Sequence, residues 1–363
     1  MKLDVEKAVT DRYSQGATEV QPSLCCPVNY RADLLKLIPA EVVEKDYGCG
    51  DPSQYLRPGE TVLDLGSGAG KICFIASQVV GAAGRVIGVD MNEEMLALAR
   101  KHQPAFALAV GWDNVRFARG RIQDLALDLD LLDAELRDHP VISARGYLEM
   151  ERLTTQLRRE RPLIASGGID AVVSNCVLNL VDPAAKEQLF HEIYRVLKPT
   201  GRAIISDIVC DQEVPADLQA DPELWSGCIA GAFREDRFCE AFAACGFHGI
   251  RILKRDEIPW RVVRGIEFRG LTLEAFKGKE GPCVEQGQSV IYRGPFKEVL
   301  DDDGHRLIRG HRHAVCEKTF RLYGREPYSD HFFLIEAGTG ESTRGTTSDK
   351  GETPAPCGPA GCC

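Results

Sequence analysis

Fourteen cysteines occur in this chain of 363 residues, and three of them stand in distinctive settings. Cys49 lies in Tyr47-Gly48-Cys49-Gly50. Cys176 lies in Ser174-Asn175-Cys176-Val177-Leu178-Asn179-Leu180, and Cys228 in Leu224-Trp225-Ser226-Gly227-Cys228-Ile229-Ala230-Gly231-Ala232. Thiolates are soft ligands and select soft centres. Zinc takes four ligands, often from C-x-x-C pairs, and none of these three belongs to such a pair. A three-coordinate pyramidal centre such as trivalent arsenic suits three separate thiols and keeps a lone pair able to attack. The competing reading is that they are small buried apolar side chains. That is the reading for Cys73, Cys239 and Cys245 on helix faces, and burial is the default for Cys210, Cys283 and Cys316.

The second set is the run Val62-Leu63-Asp64-Leu65-Gly66-Ser67-Gly68-Ala69-Gly70, followed by Asp90. Glycines between a strand and a helix let the backbone approach a ligand. Dinucleotide sites favour G-x-G-x-x-G, whereas here the spacing is one residue tighter and an acid precedes it. The pattern matches S-adenosylmethionine, which has no pyrophosphate. Asp90 is placed to accept both ribose hydroxyls, and Asp64 to hold the ammonium directly or through water. Gly66, Ser67, Gly68, Gly70, Met91, Ile122 and Asn175 complete the expected cofactor-side set. The alternative is a Rossmann-like domain that binds a nicotinamide cofactor or nothing.

Strands and helices must alternate to position these groups, and the sequence reads that way. Strands are expected at 61–66, 85–90, 115–117, 169–175 and 202–208. Helices are expected at 71–80, 93–102, 147–161 and 183–197. Such alternation predicts an α/β fold with a parallel doubly wound sheet, the Rossmann-like class I methyltransferase arrangement. The fourth strand ends at Cys176, on the side where open α/β sheets bind ligands. Domain boundaries read as an N-terminal arm over 1–50, a cofactor-binding domain over 51–250 with an outer insertion at 125–166, a smaller α+β domain over 251–336, and a Gly/Ser/Thr/Pro-rich tail over 337–363.

The net charge of −10 argues against nonspecific nucleic-acid binding. The N-terminus lacks the apolar stretch of a secretory signal, and no run approaches the ~20 apolar residues of a membrane span. A cytoplasmic, monomeric enzyme is expected. In a reducing compartment the cysteines read as buried residues, ligands or redox thiols rather than a disulfide scaffold.

On the motifs quoted above, with Leu24-Cys25-Cys26, Gly88-Val89-Asp90-Met91, Gln286 to Gly294 and Asp330-His331-Phe332, the chain resembles the arsenite methyltransferases. The resemblance implies that Cys176 and Cys228 hold the arsenic throughout. It implies that Cys49 joins in arsenite binding and disulfide exchange, and that Cys25 or Cys26 is a further redox thiol, Cys26 being counted with the catalytic set. It also implies arsenite or its thiol adducts as substrate, arsenic detoxification as the role, and thioredoxin or glutathione as reductant. Tail cysteines Cys357, Cys362 and Cys363 match pairs seen in bacterial members. Two departures stand out. The family's Gly-Arg-Asp after the glycine loop is Gly70-Lys71-Ile72 here, and the 125–166 insertion is long, so an already alkylated arsenical is an open alternative substrate. A methyltransferase of another small molecule and a non-catalytic thiol-rich metalloid binder are the remaining alternatives.

Overall fold

The computed structural model describes residues 3–21, 28–45 and 47–337. Cys25, Cys26 and the three tail cysteines lie outside the described residues. The chain divides into two compact units, one ending at Lys277 and one beginning at Gly278.

The first unit opens with helices α1 (Val5–Thr18), α2 (Ala32–Leu35) and α3 (Ala40–Glu44). Asp4 caps α1 by accepting the Lys7 amide at 3.1 Å, which satisfies one of the donors a helix start leaves open. Then come β1 (Thr61–Leu65), α4 (Lys71–Val80), β2 (Arg85–Asp90), α5 (Glu93–Val110) and β3 (Val115–Arg119). The expected break of α5 near His102 does not occur. The helix runs on through Pro104 and stops at Gly111, whose φ of 90° closes it. Helices α6 (Leu129–Asp138) and α7 (Ala144–Glu160) form the insertion. Leu157 is the one buried residue on α7 and α6 has none. Arg158 instead ties α7 down through a forked contact to Asp124, at 2.8 and 3.1 Å.

Strand β4 (Ile169–Asn175), helix α8 (Pro183–Val196) and the long β5 (Leu197–Cys210) follow, then α9 (Ala216–Gln219), α10 (Pro222–Ser226), β6 (Phe233–Arg234) and α11 (Glu235–Ala244). The unit closes with β7 (His248–Arg255), β8 (Arg261–Val263) and β9 (Ile266–Phe276). The main sheet has the order β3-β2-β1-β4-β5-β9-β7, with β6 on β5 and β8 on β9. Strands β1 to β6 pair in parallel, but β9 runs antiparallel to β5 and to β7. The sheet is therefore mixed. This also moves the expected domain boundary from 250 to 277, because β9 is buried along almost its whole length against β5 and belongs to the first core. Leu63, Leu65, Val172, Ile205 and Leu273 are fully buried there, with Leu189 and Ile193 of α8 packed on them. Each such side chain contributes roughly 1.5–3 kcal/mol of burial free energy.

The strand order reverses between β1 and β4, and both strands end at the same edge. That reversal opens the crevice in which an α/β sheet binds its ligand, and it places the glycine loop after β1 beside Asn175 and Cys176 after β4.

The second unit holds β10 (Ser289–Tyr292), β11 (Glu298–Leu300), β12 (Arg306–Ile308), β13 (Arg312–Ala314), α12 (Glu317–Tyr323) and β14 (Phe332–Ile335). Strand β10 sits between β13 and β14, and β11 pairs with β12. Its core is small: Val290, Tyr292, Leu307, Tyr323 and Phe332, with the rings of Tyr323 and Phe332 stacked at 4.2 Å.

Candidate active site

The donor side is made from backbone. Gly66, Gly68 and Gly70 all have positive φ (68°, 51° and 92°). A Cβ on Gly66 would meet Val177 at 2.4 Å, and one on Gly70 would meet Phe117 at 2.7 Å. The turn therefore needs glycine for conformation and for room. The amides of Gly66 and Ser67 donate to the Val89 carbonyl at 2.8 and 3.0 Å. Asp90, ending β2, accepts the Gly68 amide on one oxygen at 2.8 Å and the Asn92 amide on the other at 2.9 Å.

A cavity opens in front of this loop, lined by Gly66, Gly68, Asp90, Met91, Ile122 and Cys176. Helix α1 supplies a further wall through Tyr13, beside Tyr47; their rings meet edge to face at 6.1 Å. Four of the residues expected on the cofactor side do not line this cavity: Asp64, Ser67, Gly70 and Asn175. Asp64 is 2% exposed and accepts from the Cys73 thiol at 3.2 Å. Ser67 is buried too. Lys71 places its ammonium over the Tyr30 ring, 4.7 Å from the centroid, and Ile72 joins an apolar core cluster.

Asn175 holds the Cys49 loop. Its Oδ1 accepts the amides of Cys49 and Gly50 at 2.9 and 3.0 Å, and its Nδ2 donates to the Tyr30 hydroxyl at 3.1 Å. The glycines flanking Cys49 follow from this contact. A Cβ on Gly48 would lie 2.2 Å from the Asn175 amide, and one on Gly50 would lie 2.7 Å from Ser206.

The acceptor side is made from side chains of three distant segments. Cys49, Cys176 and Cys228 are buried in one cluster with Ile208, Ile229 and Phe268. The thiol sulfurs of Cys49 and Cys176 and a carboxylate oxygen of Asp207 all lie within 4.8 Å of one another. The Cys228 thiol donates to the Cys176 carbonyl at 3.0 Å, and it is hydrogen-bonded to the Cys176 thiol and to the Tyr13 hydroxyl. Cys176 and Cys228 both adopt left-handed backbone, with φ of 65° and 61°. Such a conformation costs an L residue of this size about 1–2 kcal/mol. Neighbouring bonds hold it: Cys176 N to Ser206 O at 2.8 Å, Cys228 N to Trp225 O at 3.0 Å, and Asn179 Nδ2 to Cys228 O at 3.3 Å.

Electrostatics keep the resting Cys176 and Cys228 thiols protonated. At Cys176 the hydrogen bond with Cys228 favours the thiolate, but the Cys49 thiol, burial and the Asp207 charge outweigh it, and the pKa stands well above the usual thiol value. Cys228 is pushed up by its bond with Cys176, then by burial. Burial raises Asp207 to about 6 against the pull of the Ile208, Asn179 and Leu178 amides and the Lys186 charge. Burial lowers Lys186 to about 8; its ammonium donates to the Gly231 carbonyl at 2.6 Å and sits 3.9 Å over the Phe233 ring. Sequence reasoning missed Tyr13, Lys186 and Asp207. Only Asp207 carried a signal, as the lone acid inside the apolar strand Ala203-Ile204-Ile205-Ser206-Asp207-Ile208-Val209.

A family model described as a methyltransferase domain matches residues 56–254, and one described as a domain of unknown function (DUF8838) matches 279–356. The chain is similar to an arsenite methyltransferase of Aquipseudomonas alcaligenes, 32% identical over 337 residues that cover 88% of this chain and 87% of that one. The chain belongs to the arsenite methyltransferase family. The human arsenite methyltransferase is 27% identical, over 95% of this chain and 88% of its own. Among solved structures, an arsenic(III) S-adenosylmethionine methyltransferase from Chlamydomonas reinhardtii superposes with a TM-score of 0.57 at 30% identity, covering 86% of this chain and 97% of that one. The fold is the class I S-adenosylmethionine-dependent methyltransferase fold. Within the arsenite methyltransferase family, this chain's Ile72 is a core residue and does not line the cavity. No helix among the described residues is long and apolar enough to cross a membrane.

Proposed function

We propose that this chain transfers a methyl group from S-adenosylmethionine to trivalent arsenic held by Cys49, Cys176 and Cys228, in arsenic detoxification. The observation that carries the reading is the meeting of three thiols from three separate segments, with Cys176 lining the same cavity as the glycine loop and Asp90. The donor pocket fits its ligand chemically. Asp90 offers a carboxylate at the rim for vicinal hydroxyls, Met91 and Ile122 offer apolar walls for a purine, and the glycine loop leaves room for close backbone approach.

Arsenite and its thiol adducts bind by exchange. Each new sulfur–arsenic bond replaces an arsenic–oxygen bond or a bond to the small thiol, and the protein thiol's proton leaves with the displaced oxygen as water or with the displaced sulfur as free thiol. Protonated Cys176 and Cys228 thiols therefore suit a hydroxylated substrate, and no separate base is required for their exchange. Three protein bonds fix the position of the arsenic and leave its lone pair directed outward, so much of the ordering entropy is met before methyl transfer. S-adenosylmethionine bound in the cavity supplies an electrophilic methyl group on a sulfonium. Tyr13 closes the wall between the two half-sites and keeps the reacting centre dry. Methyl addition raises arsenic formally to the pentavalent state. Two thiols return two electrons by forming a disulfide, and a thioredoxin or glutathione system reopens it. Cys49, with Cys25 or Cys26, is assigned that exchange. We place the enzyme in the cytoplasm as a monomer.

The decisive measurement is transfer of labelled methyl from S-adenosylmethionine to arsenite, methylarsenite and selenite in parallel. Arsenite is expected to be labelled. Labelling of none of the three would reject the reading, and labelling of selenite alone would replace the substrate.

A further inference from the structure

The second unit carries a thiol pair that the reaction above does not use. Cys316 is 7% exposed and immediately precedes α12, whereas Cys283 is exposed. Backbone bonds bring the two segments together: Glu317 N donates to Val284 O at 2.8 Å and Val315 N to Gln288 O at 3.2 Å. The Cys283 thiol is among the groups that favour ionisation of Cys316, and the Cys316 sulfur lies 3.4 Å from the Thr319 hydroxyl. None of the described cysteines forms a disulfide. Nor does any described His, Asp, Glu or third Cys complete a three-ligand group with this pair. The two groups of that kind are Cys49 with Cys176 and Asp207, and Asp301 with Asp303 and His305.

We propose that Cys283 and Cys316 form a dithiol binding site for a monosubstituted trivalent arsenical, R–As(OH)2. Two adjacent thiols offer two bonds, and a centre already carrying one carbon has two exchangeable positions. The step balances without an oxidant: two arsenic–sulfur bonds replace two arsenic–oxygen bonds, and the thiol protons leave in two waters. The organic group then points to the open side, where Cys283 meets solvent. Burial disfavours ionisation of Cys316, but the hydroxyl and amide of Thr319, the Cys283 thiol and the Lys318 amide prevail together, and its pKa falls below the usual thiol value. That gives the buried member thiolate character for the first exchange. Inorganic arsenite suits the three-thiol site; its once-methylated product suits this one. The choice of ligand rests on the proposed function, whereas the thiol pair does not.

The test uses the full chain, reduced with a phosphine, with phenylarsine oxide as probe, followed by alkylation with iodoacetamide and peptide mass mapping. Alkylation of exposed Cys283 is expected to slow at least tenfold with the probe, and Cys316→Ala is expected to restore it to within twofold. Cys283→Ser, at an exposed position, is expected to bind one equivalent of probe fewer by intact mass. Unchanged alkylation of Cys283, protection that survives in Cys316→Ala, or protection due to a Cys283–Cys316 disulfide each overturns the site. Methyl transfer to arsenite, assayed on the same preparation, keeps the two readings separate. Transfer without protection rejects only the dithiol site, and protection without transfer rejects only the proposed function.

Discussion

The two halves of the candidate active site are built on opposite plans. The donor half is local. One strand, three glycines and an acid at the next strand end make its framework, within a stretch from Val62 to Asp90 that is held by backbone amides and carbonyls, and Tyr13, Met91 and Ile122 only add walls to it. The acceptor half is non-local. Its thiols come from positions 49, 176 and 228, its backbone is left-handed at two of them, and it holds the buried Asp207 and the half-buried Lys186. A local site forms easily and can be shared by many methyltransferases. A non-local, strained site exists only when the whole sheet is assembled, and under the proposed function it is where the substrate is chosen.

The strongest way to separate the halves is Cys176→Ser or Cys228→Ser. A hydroxyl cannot replace a soft thiolate on arsenic, so methyl transfer is expected to drop more than a hundredfold in each variant. Affinity for S-adenosylmethionine, read by calorimetry, is expected to stay within about twofold. Activity on arsenite in both variants would remove the acceptor half from the mechanism. Asp90→Ala is the mirror experiment. Loss of a carboxylate that accepts hydrogen bonds from the ligand is worth about 1.5–3 kcal/mol, or roughly 10–100-fold in affinity for S-adenosylmethionine. Arsenite binding to the thiols, followed by quenching or mass, is expected to be unaffected. A parallel loss of both affinities would mean that the halves do not act separately.

The contrast in plan also explains what the sequence could reveal. The strand–glycine–helix unit and Asp90 are read from neighbours in the chain, because their geometry is local. The thiols can be nominated from their odd settings, but the chain alone does not say that Cys176 meets Cys228 and Asp207. That convergence depends on β4 lying beside β5 and on α10 folding over them. Asn175 reads as a cofactor residue because it ends a strand at the ligand edge, yet its amide is engaged by the Cys49 loop. A boundary near 250 is misplaced because β9, seen alone, is one more short β-like run; only its pairing with β5 assigns it to the first unit. Gly48 and Gly50 are explained solely by what a Cβ would strike.

Asp207 gives the acceptor half a pH signature. Its folded pKa of about 6 exceeds the unfolded carboxylate value of ~3.9. Between those values the folded state binds more protons than the unfolded state, so stability falls as pH rises from about 4 to about 6. A gap of that size between folded and unfolded values is worth about 3 kcal/mol. Asp207→Asn is expected to flatten that part of the stability profile of the first unit, measured by denaturant melts at pH 4, 5 and 6. An unchanged slope would assign it to other groups. Asn175→Ala tests the bridge between the halves. It leaves the buried amides of Cys49 and Gly50 without their acceptor, at a cost of about 1–3 kcal/mol. Arsenite affinity is expected to weaken while S-adenosylmethionine affinity holds, and the reverse pattern would return Asn175 to the donor side.

The smallest effect bears on the strain itself. At φ near 61° an alanine carries the left-handed penalty and a glycine does not. Cys228→Gly is therefore expected to be more stable than Cys228→Ala by about 1 kcal/mol, although both lack the thiol and both lose transfer. At an ordinary buried position the order is reversed, because glycine adds unfolded-state entropy. The order of the two melting midpoints thus reports on the backbone alone, independently of arsenic chemistry. If alanine proves the more stable, the left-handed turn at Cys228 is not held in solution, and the acceptor half loses the strain of a side-chain-bearing residue where the donor half uses only glycine.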